Sequence, residues 1–411
     1  MIENILTYQM VVQGFDFGPI VTKLIIKLDK TVDYVDAADF FVTVTKQGSF
    51  FETSPIVEGP REIAAVYISD AGGNPVKGSG TYISLELSVH PSCQVANPFY
   101  FELQDKGGGK RYLGNQWADP YKHTLIWKGI VYNLKRTGQI MPLTDLFDRS
   151  GKFTASDGVT LLYGSYVPPE AKCSNRPLII WLHGAGEGSW FDTQDPTIAI
   201  LGNRVTALAD TKIQKLMGSA YILIPQAPTM WMDDGTGAYT QDGTTMYETA
   251  LTELIEKYLT DNPGVDRSRV YIGGCSNGGF MTINTILARP GLFAAAFPVC
   301  QAYNPGWIND TQFQSIAHIP IWQVHAKNDG VVPFDISYDT HRRLLEAGAK
   351  NAQYTWFDKM TDLTGLWHDE NNNPWEYNGH LAWVHVFNNL ALAEIDGKAV
   401  SLFEWMATLS K

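Results

Sequence analysis

Near residue 140 the chain changes its hydrophobic period, and that change constrains the fold more than any single motif. Before it, apolar residues recur at every second position over short runs. In "TKLIIKL" Leu24, Ile26 and Leu28 share one face while Lys23, Ile25 and Lys27 share the other; in "YISLELSV" Ile83, Leu85, Leu87 and Val89 line one side, and "FFVTVT" alternates similarly. Period two over short segments describes half-buried antiparallel strands. Turn residues separate them at "DAGGNPVKGSG" and "QDKGGGKRYLGN". No helical period intervenes, so a small β-sandwich is expected for residues 1–140.

After "TGQIMPLTDLF" short apolar strands alternate with amphipathic helices. Strands are expected at Leu178 to Leu182, Tyr221 to Ile224, Val270 to Gly273, Ala295 to Val299 and Ile321 to His325. Between them "MYETALTELIEKYL" sets Ala250, Leu251, Leu254, Ile255, Tyr258 and Leu259 on one stripe, and "DTHRRLLEAGAK" reads as a helix ending at Gly348. This alternation implies a mostly parallel sheet flanked by helices over residues 141–411.

Composition bounds the partners. The 411 residues carry a net charge of -12, 45% are hydrophobic and 18% charged, and there is no Lys/Arg run. A nucleic-acid backbone or anionic membrane surface is therefore not expected as partner. No apolar run nears the roughly 18 residues of a membrane helix. "MIENILTYQM" lacks the basic start and apolar stretch of a secretory leader, so a soluble protein is expected, with secreted (leader removed) and cytoplasmic locations both open. Cys93, Cys173, Cys275 and Cys300 are widely spaced without a C-x-x-C pair and read as buried thiols, not a zinc site or disulfide scaffold.

The chemistry concentrates in "VYIGGCSNGGFMT". An apolar strand runs into Gly-Gly-Cys-Ser-Asn-Gly-Gly and a helix follows, the context of a G-x-S-x-G nucleophile elbow spanning Gly274 to Gly278. A serine hydroxyl is a poor nucleophile and needs a base, itself oriented by an acid. In the chain order of such sites, acid and base follow the serine. Asp329, in "AKNDGVVP" after the strand "IPIWQVH", and His380, in "YNGHLAWVHVFNN", satisfy that order with Ser276. Asp358 is the competing acid, with Asp362 and Asp369 read as solvated loop residues. His385, His368 and His325 are the competing histidines. Upstream, "PLIIWLHGAGEGSW" ends in a turn whose Ala185 N–H, together with the Asn277 N–H, is the expected oxyanion hole. His183 precedes the nucleophile and reads as structural. The mechanism needs no cofactor or metal, and no H-E-x-x-H spacing is present.

The motifs "LHGAGEG", "YILIPQAPTMWMDD", "VDRSRVYIGGCSNGGF", "VHAKNDGVVP" and "NGHLAWVHVFNN…LFEWM" together resemble the serine esterases of the α/β-hydrolase fold. More narrowly, the chain is similar to bacterial carboxylesterases, related to prolyl-oligopeptidase and dienelactone-hydrolase enzymes, that carry an N-terminal immunoglobulin-like domain. The resemblance covers Phe147 to Trp405. It implies Ser276 as nucleophile, Asp329 as acid in an H-x-x-x-D-x-x-V-P loop and His380 as base in G-H-x-x-W, with an all-β immunoglobulin-like sandwich before the hydrolase domain. The insert "DKMTDLTGLWHDENNNPWEY" departs from simpler members of the family and leaves the pocket rim open.

Trp190, Phe191, Trp231, Met232, Tyr303 and Trp383 are candidates for a pocket around an acyl or aryl group, each also readable as core. The expected partner is a small-molecule carboxylic ester, and decorated carbohydrates belong to that class. A prolyl-oligopeptidase type of peptidase and a non-catalytic binding module are the alternatives. The N-terminal domain is read as structural, with carbohydrate binding, pocket shaping and homo-oligomer contacts as other roles for it. "WMDDGTGAYTQDG" is open between a flap and an ordinary loop.

Overall fold

The computed structural model describes residues 4–107, 110–169, 175–188 and 194–411. The chain divides into two compact units, residues up to 102 with 115–145, and residues 103–114 with 146–411.

Ten strands are β1 (Ile5–Phe15), β2 (Gly18–Val32), β3 (Phe40–Lys46), β4 (Val57–Arg61), β5 (Ile63–Ser69), β6 (Gly80–Leu87), β7 (Phe99–Gly107), β8 (Lys110–Trp117), β9 (Tyr121–Trp127) and β10 (Ile130–Ile140). Eight form one ladder in the order β4-β3-β9-β10-β1-β2-β6-β5, and β7 pairs with β8. All neighbours in the ladder are antiparallel except β1 and β10. Leu6, Tyr8, Met10 and Val12 alternate inward along β1, as do Val42 and Val44 on β3 and Ile83, Leu85 and Leu87 on β6. Two details differ from the alternation. Ile25 is buried although it shares a face with lysines, because the 70–74 turn folds over it; Gly73 sits there at φ 81, and a Cβ at Gly73 would come within 2.7 Å of Ile25 Cδ1. Val89 falls beyond the end of β6 and is half-buried.

The second unit is built on an eight-stranded sheet of β11 (Asp148–Thr154), β12 (Thr160–Tyr166), β13 (Arg176–Leu182), β14 (Tyr221–Gln226), β15 (Val265–Cys275), β16 (Ala295–Val299), β17 (Ile321–Ala326) and β18 (Ala352–Phe357). Its order is β11-β12-β14-β13-β15-β16-β17-β18. The first two pairings are antiparallel and the rest parallel. The central strands are buried along nearly their whole length, so their apolar runs are continuous and not alternating.

Helices include α1 (Pro196–Leu201), α2 (Thr211–Met217), α3 (Glu248–Asp261), α4 (Asn277–Ala288), α5 (Asp310–Ile316), α6 (Phe334–Glu346), α7 (Trp383–Phe387) and α8 (Leu402–Ala407). The six stripe residues of α3 are all buried. Helix α6 starts earlier than its apolar pattern announces, because Pro333 just ahead of it has a fixed φ and no N–H to leave unpaired. It ends at Glu346, Ala347 caps it, and Gly348 follows at φ 91. No helix among the described residues is long and apolar enough to cross a membrane.

Candidate active site

The elbow is a consequence of crowding. Strand β15 ends at Cys275, α4 begins at Asn277, and Ser276 between them is held at φ 56, ψ -113, a region few L-residues adopt. Its N–H donates to Val299 O at 2.9 Å and its carbonyl accepts from Phe280 N–H at 2.9 Å. A Cβ at Gly274 would lie 2.6 Å from both Leu182 O and Gly278 O, and one at Gly278 would collide with the Leu182 backbone. The glycines two residues to either side of Ser276 therefore make the turn sterically feasible. Cys275 turns into the core, fully buried beside Asn203 Oδ1 at 3.5 Å, and burial pushes its thiol pKa up.

Beyond β17, Asp329 and His380 meet. His380 Nδ1 donates to Asp329 Oδ2 at 2.8 Å, and the His380 N–H donates to Asn378 Oδ1 at 2.9 Å. Asp329 Oδ1 accepts the N–H groups of Val331 (2.8 Å) and Val332 (3.0 Å), while Oδ2 also accepts His325 Nε2 (3.0 Å). The carboxylate is fully shielded. Burial alone would raise its pKa; hydrogen bonds from His325, His380 and the Val331 N–H outweigh it and hold the group well below the ordinary carboxylate value. With Nδ1 donating to a carboxylate, His380 keeps its Nε2 lone pair free to act as a base. The end of β16 ties these parts to Ser276. Val299 O receives the Ser276 N–H, and the next residue, Cys300, brings Sγ within 4.8 Å of the ligand atoms of Asp329 and His380. Among the described residues this trio is the group whose ligand atoms lie close enough for a metal ion, and it contains the hydrogen-bonded Asp329 and His380.

Ala185 opens a short 3-10 turn (Ala185–Glu187) after β13, and Asn277 opens α4, so each N–H lacks a partner inside its own element. His183 supports that turn. Its Nε2 accepts the Ala227 N–H at 3.0 Å, so Nδ1 carries the proton and donates to Gly184 O at 2.6 Å. Burial lowers its pKa to about 4, against the weaker opposing effect of the Gly184 bond.

Among the competitors, Asp358 is 84% exposed and pairs with Lys327 at 2.7 Å, away from any histidine bond described. His385 is buried on α7 with its ring 4.5 Å from Phe357. Asp362 is a correction. It is buried, not solvated, because the insert after β18 folds back on itself and Asp362 accepts the Leu366 and Trp367 N–H groups and the Thr364 hydroxyl. His325 is the residue that pattern reading undervalued. The H-x-x-x-D spacing contained it, but its bond to Asp329 needs the turn at 326–329 to bring the two together.

The pocket candidates divide. Trp190 and Phe191 lie outside the described residues. Trp231 is fully buried in the unit's core, beside His183 (5.1 Å between rings) and edge-on to Tyr247 (5.8 Å). Met232 and Tyr303 belong to the same core, Tyr303 stacking on Phe280 at 5.0 Å. These three are corrected to packing side chains, since large apolar groups beneath a loop gain more from burial than from lining an open cleft. Trp383 is also buried but stands edge-on to the His380 ring at 5.7 Å. The loop after β14 is tied down: Asp233 accepts the Gly235 and Gly237 N–H groups and the Thr229 hydroxyl, and Asn277 Oδ1 accepts the Met232 N–H at 3.3 Å.

Comparison with known proteins agrees with this architecture. Residues 7–141 match the esterase Ig-like N-terminal domain, and residues 168–370 match the phospholipase/carboxylesterase family. The chain thus pairs an all-β domain of the esterase immunoglobulin-like family with a following domain of the phospholipase/carboxylesterase family in the α/β-hydrolase fold. A thermostable esterase structure superposes with a TM-score of 0.73 at 23% identity, over 99% of each chain, which shows a shared fold. A probable chloroplastic glutamyl endopeptidase of Arabidopsis thaliana is 26% identical over 162 residues, covering 37% of this chain. The match spans only 16% of that relative's length.

Proposed function

We propose that the protein hydrolyses small-molecule carboxylic esters through Ser276, His380 and Asp329, with short acyl or aryl esters, including ester-decorated carbohydrates, as the substrate class. The observation that carries this reading is the buried Asp329–His380 hydrogen bond at 2.8 Å, beside the strand end that also holds the strained Ser276.

His380 Nε2 takes the Ser276 hydroxyl proton as Oγ attacks the ester carbonyl, and Asp329 stabilises the resulting imidazolium without itself taking the proton. The carbonyl oxygen becomes an oxyanion that receives the Ala185 and Asn277 N–H groups, each worth about 3 kcal/mol of transition-state stabilisation. His380 then protonates the departing alkoxide, leaving an acyl-Ser276. Water attacks the acyl group, giving its proton to His380, and the tetrahedral intermediate collapses to release the carboxylic acid and return the proton to Ser276 Oγ.

Likeness to an endopeptidase over part of the chain supports a second reading, amide cleavage by the same residues. A panel of p-nitrophenyl esters beside proline-containing peptide amides separates the two. Ester turnover without amide cleavage is expected; amide cleavage without ester turnover would replace the first reading with the second. Ser276→Ala should lower kcat by three orders of magnitude or more, on the order of what loss of a nucleophile costs. Full activity in that variant would remove Ser276 as nucleophile.

A further inference from the structure

Asp329 binds a second imidazole that the mechanism above does not use. His325 is completely buried at the end of β17, and its Nε2 faces two groups that can only accept, Asp329 Oδ2 at 3.0 Å and Val332 O at 3.2 Å. That nitrogen must carry a proton. On the far side of the ring, Nδ1 lies 2.5 Å from Ser337 Oγ, and Ser337 Oγ lies 2.7 Å from the Tyr354 hydroxyl. The Ser337 hydroxyl has one proton and two acceptors in reach, His325 Nδ1 and Phe334 O at 3.1 Å. With a neutral His325 ring the proton goes to Nδ1, so that Tyr354 donates to Ser337, Ser337 to His325 Nδ1, and His325 Nε2 to Asp329. Ser337 sits in the first turns of α6 and Tyr354 in β18, where its ring stacks on Phe334 at 5.8 Å and on His341 at 5.2 Å. The chain is thus anchored on two elements that carry no triad member.

The carboxylate accounting gives the arrangement a consequence. Asp329 has about four lone-pair sites, and four donors occupy them: Val331 and Val332 on Oδ1, His325 and His380 on Oδ2. A carboxylate saturated in this way has one orientation. Without His325, Oδ2 keeps a vacant site, and the group gains freedom to turn away from His380 Nδ1.

We propose that His325 is a positioning residue for ester cleavage, holding the Asp329 carboxylate in line with His380, with Ser337 and Tyr354 fixing its tautomer. The proposal rests on the triad reading above. It acts on kcat and not on substrate binding, because His325 is sealed inside the unit.

The test compares wild type with His325→Ala, His325→Gln and Tyr354→Phe in steady-state ester hydrolysis, and follows the low-field NMR resonance of the His380 Nδ1–H in the same proteins carrying Ser276→Ala. His325→Ala should lower kcat about tenfold to a hundredfold, the scale of a modest misplacement of catalytic groups, with KM nearly unchanged, and should broaden the resonance. His325→Gln, which can donate to Asp329 and accept from Ser337, should restore most of both. Tyr354→Phe should give a smaller loss in the same direction. Wild-type kcat in His325→Ala, or an unperturbed resonance, overturns the proposal, as does a failure of His325→Gln to recover activity in a folded protein. If His325→Ala does not fold, the Tyr354→Phe resonance decides alone. The resonance depends only on the Asp329–His380 bond, so it reports on His325 even if Ser276 proves not to be the nucleophile.

Discussion

The turn carrying Ser276 and the loop carrying Asp329 follow β15 and β17 of one sheet, with β16 between them, yet they are held by different forces. At the turn the backbone is forced to φ 56 by close packing, and the neighbouring glycines are present because nothing larger fits. At the loop the backbone is ordinary, and the constraint is a set of side-chain hydrogen bonds reaching to His325 on one side and His380 on the other. A steric constraint is local and written in neighbouring residues. A hydrogen-bond constraint depends on groups 51 positions apart.

Between these two regions, breaking the loop should cost catalysis more than breaking the turn. Asp329→Asn keeps the size of the side chain but offers His380 an amide in place of a carboxylate, which favours the wrong imidazole tautomer. A loss of about 10⁴ in kcat is expected with the thermal midpoint little changed, measured by ester hydrolysis beside circular-dichroism melting. Activity near wild type would move the acid elsewhere.

Breaking the turn should instead show up in stability as well as rate. Gly278→Ala sets a Cβ against the Leu182 backbone, which cannot move aside without disturbing β13. A destabilisation of about 1–3 kcal/mol, or more, is expected in urea unfolding, together with a fall in kcat. Unchanged stability would show that the turn has room the packing denies.

A third probe uses pH on the turn after β13. His183 titrates near 6.5 when unfolded but, held neutral by burial, only at about 4 when folded. Between those values the unfolded chain binds the extra proton, so this residue's contribution makes stability fall as pH drops from 6.5 toward 4 and levels off below. At pH 5 the loss relative to pH 7 is roughly 2 kcal/mol. Urea midpoints at the two pH values, in wild type and His183→Gln, should differ less in the variant; equal differences would mean that His183 is not the group responsible.

The smallest effect sharpens the acid assignment. Asp358 makes a surface ion pair with Lys327, and such pairs contribute little. Asp358→Asn should leave both kcat and the melting temperature within experimental error, whereas a large fall in kcat would make Asp358 a contender for the acid.

How much of this was legible in advance follows the same division. The stripe of α3 and the sheet strands are local patterns, and they reappear in the structure with shifts of a few residues at their ends. Glycine spacing around Ser276 announced a turn for the same reason. Trp231 and Tyr303 were harder, because a large aromatic near a loop has the same local signature whether it lines a cleft or fills the core. Asp362 looked solvated in a polar run, and its burial comes from an insert that folds back to place Trp375 O against its own N–H.

From the order of residues alone come two domains of different class, the strand that delivers Ser276, and the chain order of Ser276, Asp329 and His380, because each depends on period, turn chemistry or spacing along the backbone. Folding adds the partner of each polar group: His325, Ser337 and Tyr354 behind Asp329, Ala227 on His183, Asn277 on the loop after β14. Hydrogen bonds act over about 3 Å in space with no regard for separation along the chain, so these pairings exist only once the sheet has brought distant segments side by side.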